Sequence, residues 1–424
     1  MNFTEKEYLP RLADKTLENY LKVFGAVSVE GPKWCGKTWT SSKYANSILF
    51  LDREETFEKA SLDLELVLNE EAPELLDEWT KIPKIWDAVR RKCDEKVTKG
   101  NYILTCSTEL NAQKKKEVFH SGAGRIGKVK MYPMSLFESK NSTGEASLTL
   151  MFEGVQETKS VRVPSLEEIA FYIVRGGWPS NIHTEKELAH FIPKSYIESI
   201  LDKDIHDDKT RDKNKMRALL RSLARNESTV VSNQTLLKDI ESYSNESEKI
   251  ESRNTLAEYL DVLTRLYLVQ NQEAYSENYR SPERIGKSSK RHLIDPSLTC
   301  AILGLDIDKL LNDLNTFGFL FEALVERDLK IYIEYLGGHL YHFRDNVSGL
   351  EVDSILEFPG GDYAAVEIKL GNNKVEEAKK NLLQFASNMK KKPKFMCVIT
   401  ANSTYVIKDP ETGIYILPIT ALKP

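Results

Sequence analysis

The sequence predicts an α/β protein in three successive parts: a P-loop parallel-sheet domain over residues 1–180, a helical connector and winged-helix domain over 181–300, and a second α/β domain over 301–424. Three observations predict it. A glycine-rich phosphate loop follows a short apolar run, strand-like and helix-like segments alternate through the first third, and a carboxy-terminal hairpin carries two acids and a lysine on neighbouring strands. A chain of 424 residues also exceeds what one hydrophobic core comfortably holds.

The first part rests on Ala26-Val27-Ser28-Val29, read as a short buried strand, and on the loop behind it, Gly31-Pro32-Lys33-Trp34-Cys35-Gly36-Lys37-Thr38. The two glycines let the chain wrap so that successive N–H groups point inward at a β-phosphate, and the following helix turns its positive end toward the same anion. Lys37 is expected to reach the β- and γ-phosphates and Thr38 to offer its hydroxyl to Mg²⁺. Further strands are predicted at Ile48–Leu51, Glu74–Asp77, Tyr102–Cys106 and Lys128–Met131, the rhythm of a parallel sheet with crossover helices. Ligands in such sheets sit at the carboxyl ends of the strands, so each strand end is a candidate site.

Leu75-Leu76-Asp77-Glu78-Trp79 ends the third strand with adjacent acids, of which Asp77 is expected to hold Mg²⁺, directly or through water, and Glu78 to polarise the attacking water. Acids also favour the first turn of a helix, the competing role for this pair. Beyond the fourth strand, Ser107, with Thr108 beside it, is placed to bond a γ-phosphate or the lytic water; helix capping by a hydroxyl is an equal alternative. Arg125, in His120-Ser121-Gly122-Ala123-Gly124-Arg125, is a candidate arginine finger reaching a neighbouring subunit's nucleotide, against the alternative of a solvated loop arginine.

Composition bounds the rest. Hydrophobic residues at 41% and charged residues at 29% are ordinary for a soluble globular protein. A net charge of −5 excludes attraction to nucleic acid over the whole surface while leaving room for a local basic groove. The five cysteines, Cys35, Cys93, Cys106, Cys300 and Cys397, are scattered and contain no C-x-x-C pair, which excludes a zinc ribbon and points away from a disulfide framework. The amino terminus lacks a basic-then-apolar signal and no apolar run is long enough to cross a bilayer, so a cytoplasmic protein with no membrane partner is expected.

With Glu30–Thr38, the Leu76–Trp79 box, His120–Ile126, Pro133-Met134-Ser135-Leu136 and Arg175-Gly176-Gly177-Trp178-Pro179 in view, the chain resembles, nearly end to end, the bacterial and archaeal AAA+ ATPases that carry a carboxy-terminal domain of unknown function. The resemblance implies ATP hydrolysis through Lys37, Thr38, Asp77 and Glu78, with ATP and Mg²⁺ as cofactors. It makes Arg125 a reasonable finger and self-association through the ATPase domain an expectation. It implies no settled biological role.

In the middle of the chain, helix-like segments run from Glu185 to Arg225, and Ser232–Ile240 and Thr255–Leu266 read as two amphipathic helices. Tyr267–Val269 and His292–Ile294 follow as strand-like runs, the succession of a winged helix. The intervening loop holds Arg280, Arg284, Lys287, Lys290 and Arg291, read either as a basic wing for DNA phosphates or as a solvated hairpin.

The last part turns on Glu351–Leu356 and Ala364–Lys369, predicted to pair as a hairpin across Gly360-Gly361. Side chains repeat every two residues along a strand, so Glu367 and Lys369 share a face that Asp353 can join. The trio resembles the Asp…Glu-x-Lys signature of restriction-endonuclease-like, PD-(D/E)XK nuclease folds, in which two carboxylates bind Mg²⁺ and the lysine orients or activates water. Glu322, on a predicted helix Leu320–Tyr332, matches the acid this superfamily often adds as a metal ligand, and Gln384 is a candidate to hold the water or metal. Exposed Glu and Lys paired across a strand face are the competing explanation. The expected function is a Mg²⁺-dependent ATPase coupled to a nuclease-like domain that acts on or binds DNA, or alternatively an ATP-controlled switch or DNA-binding regulator whose nuclease-like domain does not cleave.

Overall fold

The structure, a computed structural model, describes residues 8–95, 98–206, 209–243, 245–278, 289–345 and 347–424. The chain divides into two compact units. The first comprises Met1–Pro133 with Lys203–Arg211 and Asp261–Leu268, and the second comprises Met134–Asp202, Asp212–Leu260 and Val269–Pro424. Neither expected boundary, at 180 or at 300, coincides with this division.

The first unit holds strands β1 (Ala26–Glu30), β2 (Ser47–Phe50), β3 (Glu74–Asp77), β4 (Tyr102–Cys106) and β5 (Ile126–Lys130), and helices α1 (Leu12–Val23), α2 (Lys37–Ser42), α3 (Glu54–Leu62) and α4 (Ile85–Glu95). All five strands are parallel, in the order β2-β3-β4-β1-β5. Position in the sheet explains each sequence pattern. β1 and β4 lie inside and are buried at every residue, whereas β5, at the edge, exposes Lys128 and Lys130. Clusters around Leu76, Leu104 and Trp86 and around Val27, Ile103 and Val129 form the unit's core.

In the second unit the chain runs β6 (Ala146–Ser147), α5 (Leu148–Glu153), β7 (Lys159–Ser160), α6 (Leu166–Arg175), α7 (Phe191–Asp202), α8 (Lys213–Arg225), β8 (Thr229–Val230), α9 (Asn233–Tyr243) and α10 (Arg253–Arg265), the last of which runs on into the first unit's segment. β9 (Val269–Ala274), β10 (Lys290–Leu293), α11 (Pro296–Leu303), α12 (Ile307–Asn312), α13 (Leu314–Tyr335) and β11 (His339–Arg344) follow. β12 (Glu351–Glu357), β13 (Tyr363–Lys369), α14 (Val375–Asn388), β14 (Phe395–Thr400), β15 (Tyr405–Lys408), β16 (Tyr415–Pro418) and β17 (Leu422–Lys423) complete it. Ten of the strands form one mixed sheet, β7-β15-β16-β14-β13-β12-β11-β9-β10-β8.

That sheet explains why segments expected in three domains fold together. β9 pairs antiparallel with β10 and parallel with β11, so the hairpin expected for the middle part continues into the sheet of the last part. The stretch beyond Pro133 belongs with the carboxy terminus: β6 pairs with β17, β7 with β15, and the Leu136 N–H donates to Asp328 Oδ2 at 2.9 Å. The Arg175–Pro179 box is a packing device of this unit. A Cβ on Gly177 would lie 2.2 Å from the Met134 carbonyl oxygen, and the Trp178 indole donates to Ser297 Oγ at 3.0 Å.

Candidate functional site

β1 delivers the chain to Gly31–Thr38 at the carboxyl end of the first sheet. Gly31 is pressed against the neighbouring strand's exit, where a Cβ would stand 2.2 Å from the Met131 carbonyl oxygen. Gly36 has φ 100°, a left-handed conformation that glycine adopts without steric cost, and α2 begins at the next residue. Arg11, itself buried, braces the loop from outside, its Nη1 donating to the Cys35 carbonyl at 2.6 Å and its Nη2 to the Tyr132 carbonyl at 2.7 Å. Lys37 lies back over the loop, its ammonium donating to the Pro32 carbonyl at 2.8 Å, and Lys33 pairs with Asp204 at 2.5 Å.

The acids at the end of β3 are held by β4, its hydrogen-bonded neighbour. Asp77 Oδ1 accepts from the Thr38 hydroxyl at 2.8 Å and from the Thr105 hydroxyl at 2.7 Å, so the two expected Mg²⁺ ligands already touch. A Mg²⁺ ion with nucleotide is held by one or two protein oxygens together with phosphates and water, and the Thr38–Asp77 pair fits that requirement. Glu78 sits at φ 59°, and its N–H donates to Thr105 Oγ1 at 3.1 Å. Its carboxylate accepts from the Ser107 hydroxyl at 3.0 Å and from the Ser107 N–H at 3.3 Å. These contacts turn Glu78 away from Asp77, giving adjacent acids separate partners. A cavity of about 430 Å³ opens beside them, lined by Lys33, Glu78, Ser107, Thr108, Lys114 and Asp204 among others. Arg125 lies outside this group, about half exposed, with its Nε donating to Asp94 at 2.8 Å.

The second candidate site is in the other unit. β12 and β13 pair antiparallel with Ser354 opposite Val366, the expected hairpin. Lys369 Nζ stands 2.6 Å from Glu367 Oε2 and 3.3 Å from Asp353 Oδ2, so the expected trio converges. Asp353 Oδ2 also accepts the Ile368 N–H at 2.7 Å. Burial, with the Asp353 charge adding, pushes the Glu367 carboxyl up to about 8, against the pull of Lys369 and the Asn381 amide. Burial opposes the Lys369 ammonium, but the Asp353 and Glu367 carboxylates outweigh it and raise its pKa.

Glu322 does not join them. Its Oε1 receives the Lys290 ammonium at 2.6 Å, and Glu326, one helical turn further along α13, receives the same ammonium at 3.0 Å. Burial raises the Glu322 carboxyl well above its usual range, with Asp353 and Glu326 adding and Lys290 opposing. Burial works against the Lys290 charge as well, yet Glu322 and Glu326 raise its pKa well above that of an ordinary lysine. Each acid pair thus has its own lysine. Among the described residues, no three or more His, Cys, Asp or Glu side chains are grouped to hold a metal ion, so the expected ligand set of Glu322, Asp353 and Glu367 does not fit as a unit. Gln384 is exposed on α14, and the amide that reaches the site is Asn381, which donates to Glu367 Oε1 at 2.7 Å.

Of the five basic residues read as a wing, Arg280, Arg284 and Lys287 lie outside the described residues. Lys290 is buried in the acid cluster rather than offered to phosphates, and Arg291 is engaged by Asn233 Oδ1 at 2.6 Å. Sequence reasoning also missed Thr105, Arg11, Asn381 and Glu326. Glu326 carried a usable signal, being four residues from Glu322 and therefore on the same helical face. Asn381 stands three residues before Gln384, one turn away on the same helix.

Three family models match successive parts of the chain. Residues 24–140 match an AAA domain, residues 166–309 a domain of unknown function (DUF8612), and residues 317–422 a domain of unknown function (DUF4143). No curated protein matches the chain. Among solved structures, the Walker-type ATPase PABY2304 of Pyrococcus abyssi is similar over 70% of this chain and 97% of its own, at 13% identity and a TM-score of 0.43. The first unit carries a P-loop AAA ATPase domain. No helix among the described residues is long and apolar enough to cross a membrane.

Proposed function

We propose that the chain is a Mg²⁺-dependent ATPase whose nucleotide cycle controls a DNA-binding unit, and that its nuclease-like domain binds without cutting. The observation that carries the ATPase reading is the network Thr38–Asp77–Thr105 with Glu78 on Ser107, set at the strand ends beside the phosphate loop. Lys37 leaves the Pro32 carbonyl to meet the β- and γ-phosphates, and the loop N–H groups of Lys33–Thr38 hold the β-phosphate. Thr38 and Asp77 are the residues that would hold Mg²⁺, which neutralises charge on the transferring phosphoryl group. Glu78 accepts a proton from the attacking water, and Ser107 fixes the orientation of that carboxylate. Arg125, with its guanidinium half exposed, supplies the finger to a neighbouring copy after exchanging Asp94 for phosphate.

Support for DNA as partner comes from the order α8, β8, α9, α10, β9, β10, with β10 paired to both β8 and β9, which is the succession of a winged helix. The nuclease-like reading of the last domain draws on the convergence of Asp353, Glu367 and Lys369, and this convergence also favours a second reading in which the domain cleaves. The engagement of Glu322 by Lys290 favours the non-cleaving one.

Two assays test the proposal. Steady-state Mg²⁺-dependent ATP turnover, with and without DNA, should be abolished by Lys37→Ala; turnover equal to wild type would remove the assigned engine. Linear, nicked and single-stranded DNA incubated with the protein and Mg²⁺ or Mn²⁺ should remain intact, and cleavage lost on Asp353→Ala would establish the second reading instead.

A further inference from the structure

The acids of α13 already have a cation. β10 directs Lys290, fully buried, to Glu322 Oε1 at 2.6 Å, Glu326 Oε1 at 3.0 Å and the Asp353 carbonyl oxygen at 3.4 Å. Glu326 Oε1 also accepts from the Ser354 hydroxyl at 3.3 Å, while its other oxygen, 3.4 Å from His292 Nε2, makes no hydrogen bond among the described residues. His292 is positioned in turn by Glu227 at 3.1 Å and Gln272 at 3.0 Å. These are oxygens of the kind a divalent cation selects: two carboxylates and a backbone carbonyl converging on one point. The point is occupied by an ammonium covalently tethered to the neighbouring strand.

We propose that Lys290 is a built-in substitute for a divalent cation: its ammonium holds the Glu322–Glu326–Asp353 carbonyl cage shut, and removing that charge converts the cage into a divalent-cation site. The inference rests on the non-cleaving reading of the last domain and gives it a physical cause. Strand pleating separates the two acid pairs. Ser354 turns toward Glu326, and the adjacent residue Asp353 sends its side chain to the opposite face, where Lys369 and Glu367 lie. Two lysines therefore compensate two acid pairs on the two sides of β12, and Glu322 is unavailable as a ligand while Lys290 is in place.

The test is Mn²⁺ titration of the full chain without nucleotide, with free Mn²⁺ read by electron paramagnetic resonance. Wild type and Glu322→Gln should give the same isotherm, because Glu322 binds no metal in the native protein. Lys290→Met should gain one site at least tenfold tighter than anything in wild type, and Lys290→Met/Glu322→Gln should lose it. A wild-type site abolished by Glu322→Gln overturns the proposal even if the Lys290 variants fail to fold, since that comparison needs neither of them. A folded Lys290→Met protein with the wild-type isotherm also overturns it. ATP turnover measured on the same preparations reports on the ATPase reading separately, and Mn²⁺-dependent cutting of DNA by wild type reports on the non-cleaving reading.

Discussion

Thr105 is the residue on which the ATPase geometry depends most, and Thr105→Val isolates its hydroxyl. The replacement keeps the branched shape of the side chain at a fully buried position and exchanges its hydroxyl for a methyl group. What is lost is the 2.7 Å bond donated to Asp77 and the acceptor for the Glu78 N–H at 3.1 Å. A hydrogen bond to a charged group contributes about 1.5–3 kcal/mol, and a buried N–H left without an acceptor costs about 1–3 kcal/mol. Asp77 keeps Thr38 as a donor, which places the combined loss at about 2–4 kcal/mol. Because the chain has two units, a single unfolding curve would blend their transitions, and hydrogen exchange read by mass spectrometry locates the effect instead. Exchange of the β3 and β4 amides should accelerate roughly 30- to 1000-fold, the same energy expressed at tenfold per 1.4 kcal/mol. ATP turnover should fall with it, because Glu78 loses the contact that fixes its left-handed backbone. Thr105→Ser should restore both. Unchanged exchange and turnover in Thr105→Val would refute the reasoning.

Three further outcomes are expected. Ser107→Ala frees the Glu78 carboxylate and should lower kcat about 10- to 100-fold while ATP affinity changes little, so an equal loss in both would assign Ser107 to binding rather than to water positioning. Arg327 is buried and bonds Asp295 at 2.8 Å and Asp328 at 2.7 Å; Arg327→Met strands both carboxylates and should cost the second unit about 3–5 kcal/mol, read as faster hydrogen exchange of the α13 amides, with a loss below about 1 kcal/mol contradicting the pairing. Glu367 titrates near 8 in the folded chain, above its ordinary 4.5, so the folded state holds the proton more tightly than the unfolded chain. Its contribution is fully present below about pH 4.5 and lost as pH rises through about 8, and Glu367→Gln should flatten the stability profile over that window.

The first unit was legible because its signals are local. A phosphate loop needs particular residues at fixed spacing, and interior parallel strands such as Tyr102–Cys106 are buried at every residue and apolar but for Thr105. The hairpin of β12 and β13 was legible for the same reason, its two-residue alternation placing Glu367 beside Lys369. Non-local pairing was not. Nothing in Glu145–Ser160 signals that β6 and β7 pair with strands more than 240 residues later, because two-residue strands carry no periodicity. Lys290 misled through composition: a lysine among arginines reads as exposed, and only the register of β10 against β9 and β8 turns it inward. Thr105 was hidden because a threonine inside an apolar strand fits β propensity and needs no further explanation.

The central claim, that Glu78 activates water for attack on a nucleotide held by Lys37 and Thr38, is tested most directly by single-turnover hydrolysis of radiolabelled ATP on Glu78→Gln with filter capture of the bound nucleotide. The account predicts that the variant retains uncleaved ATP, with cleavage slowed at least about a hundredfold relative to wild type. Bound nucleotide recovered as ADP at the wild-type rate would contradict it.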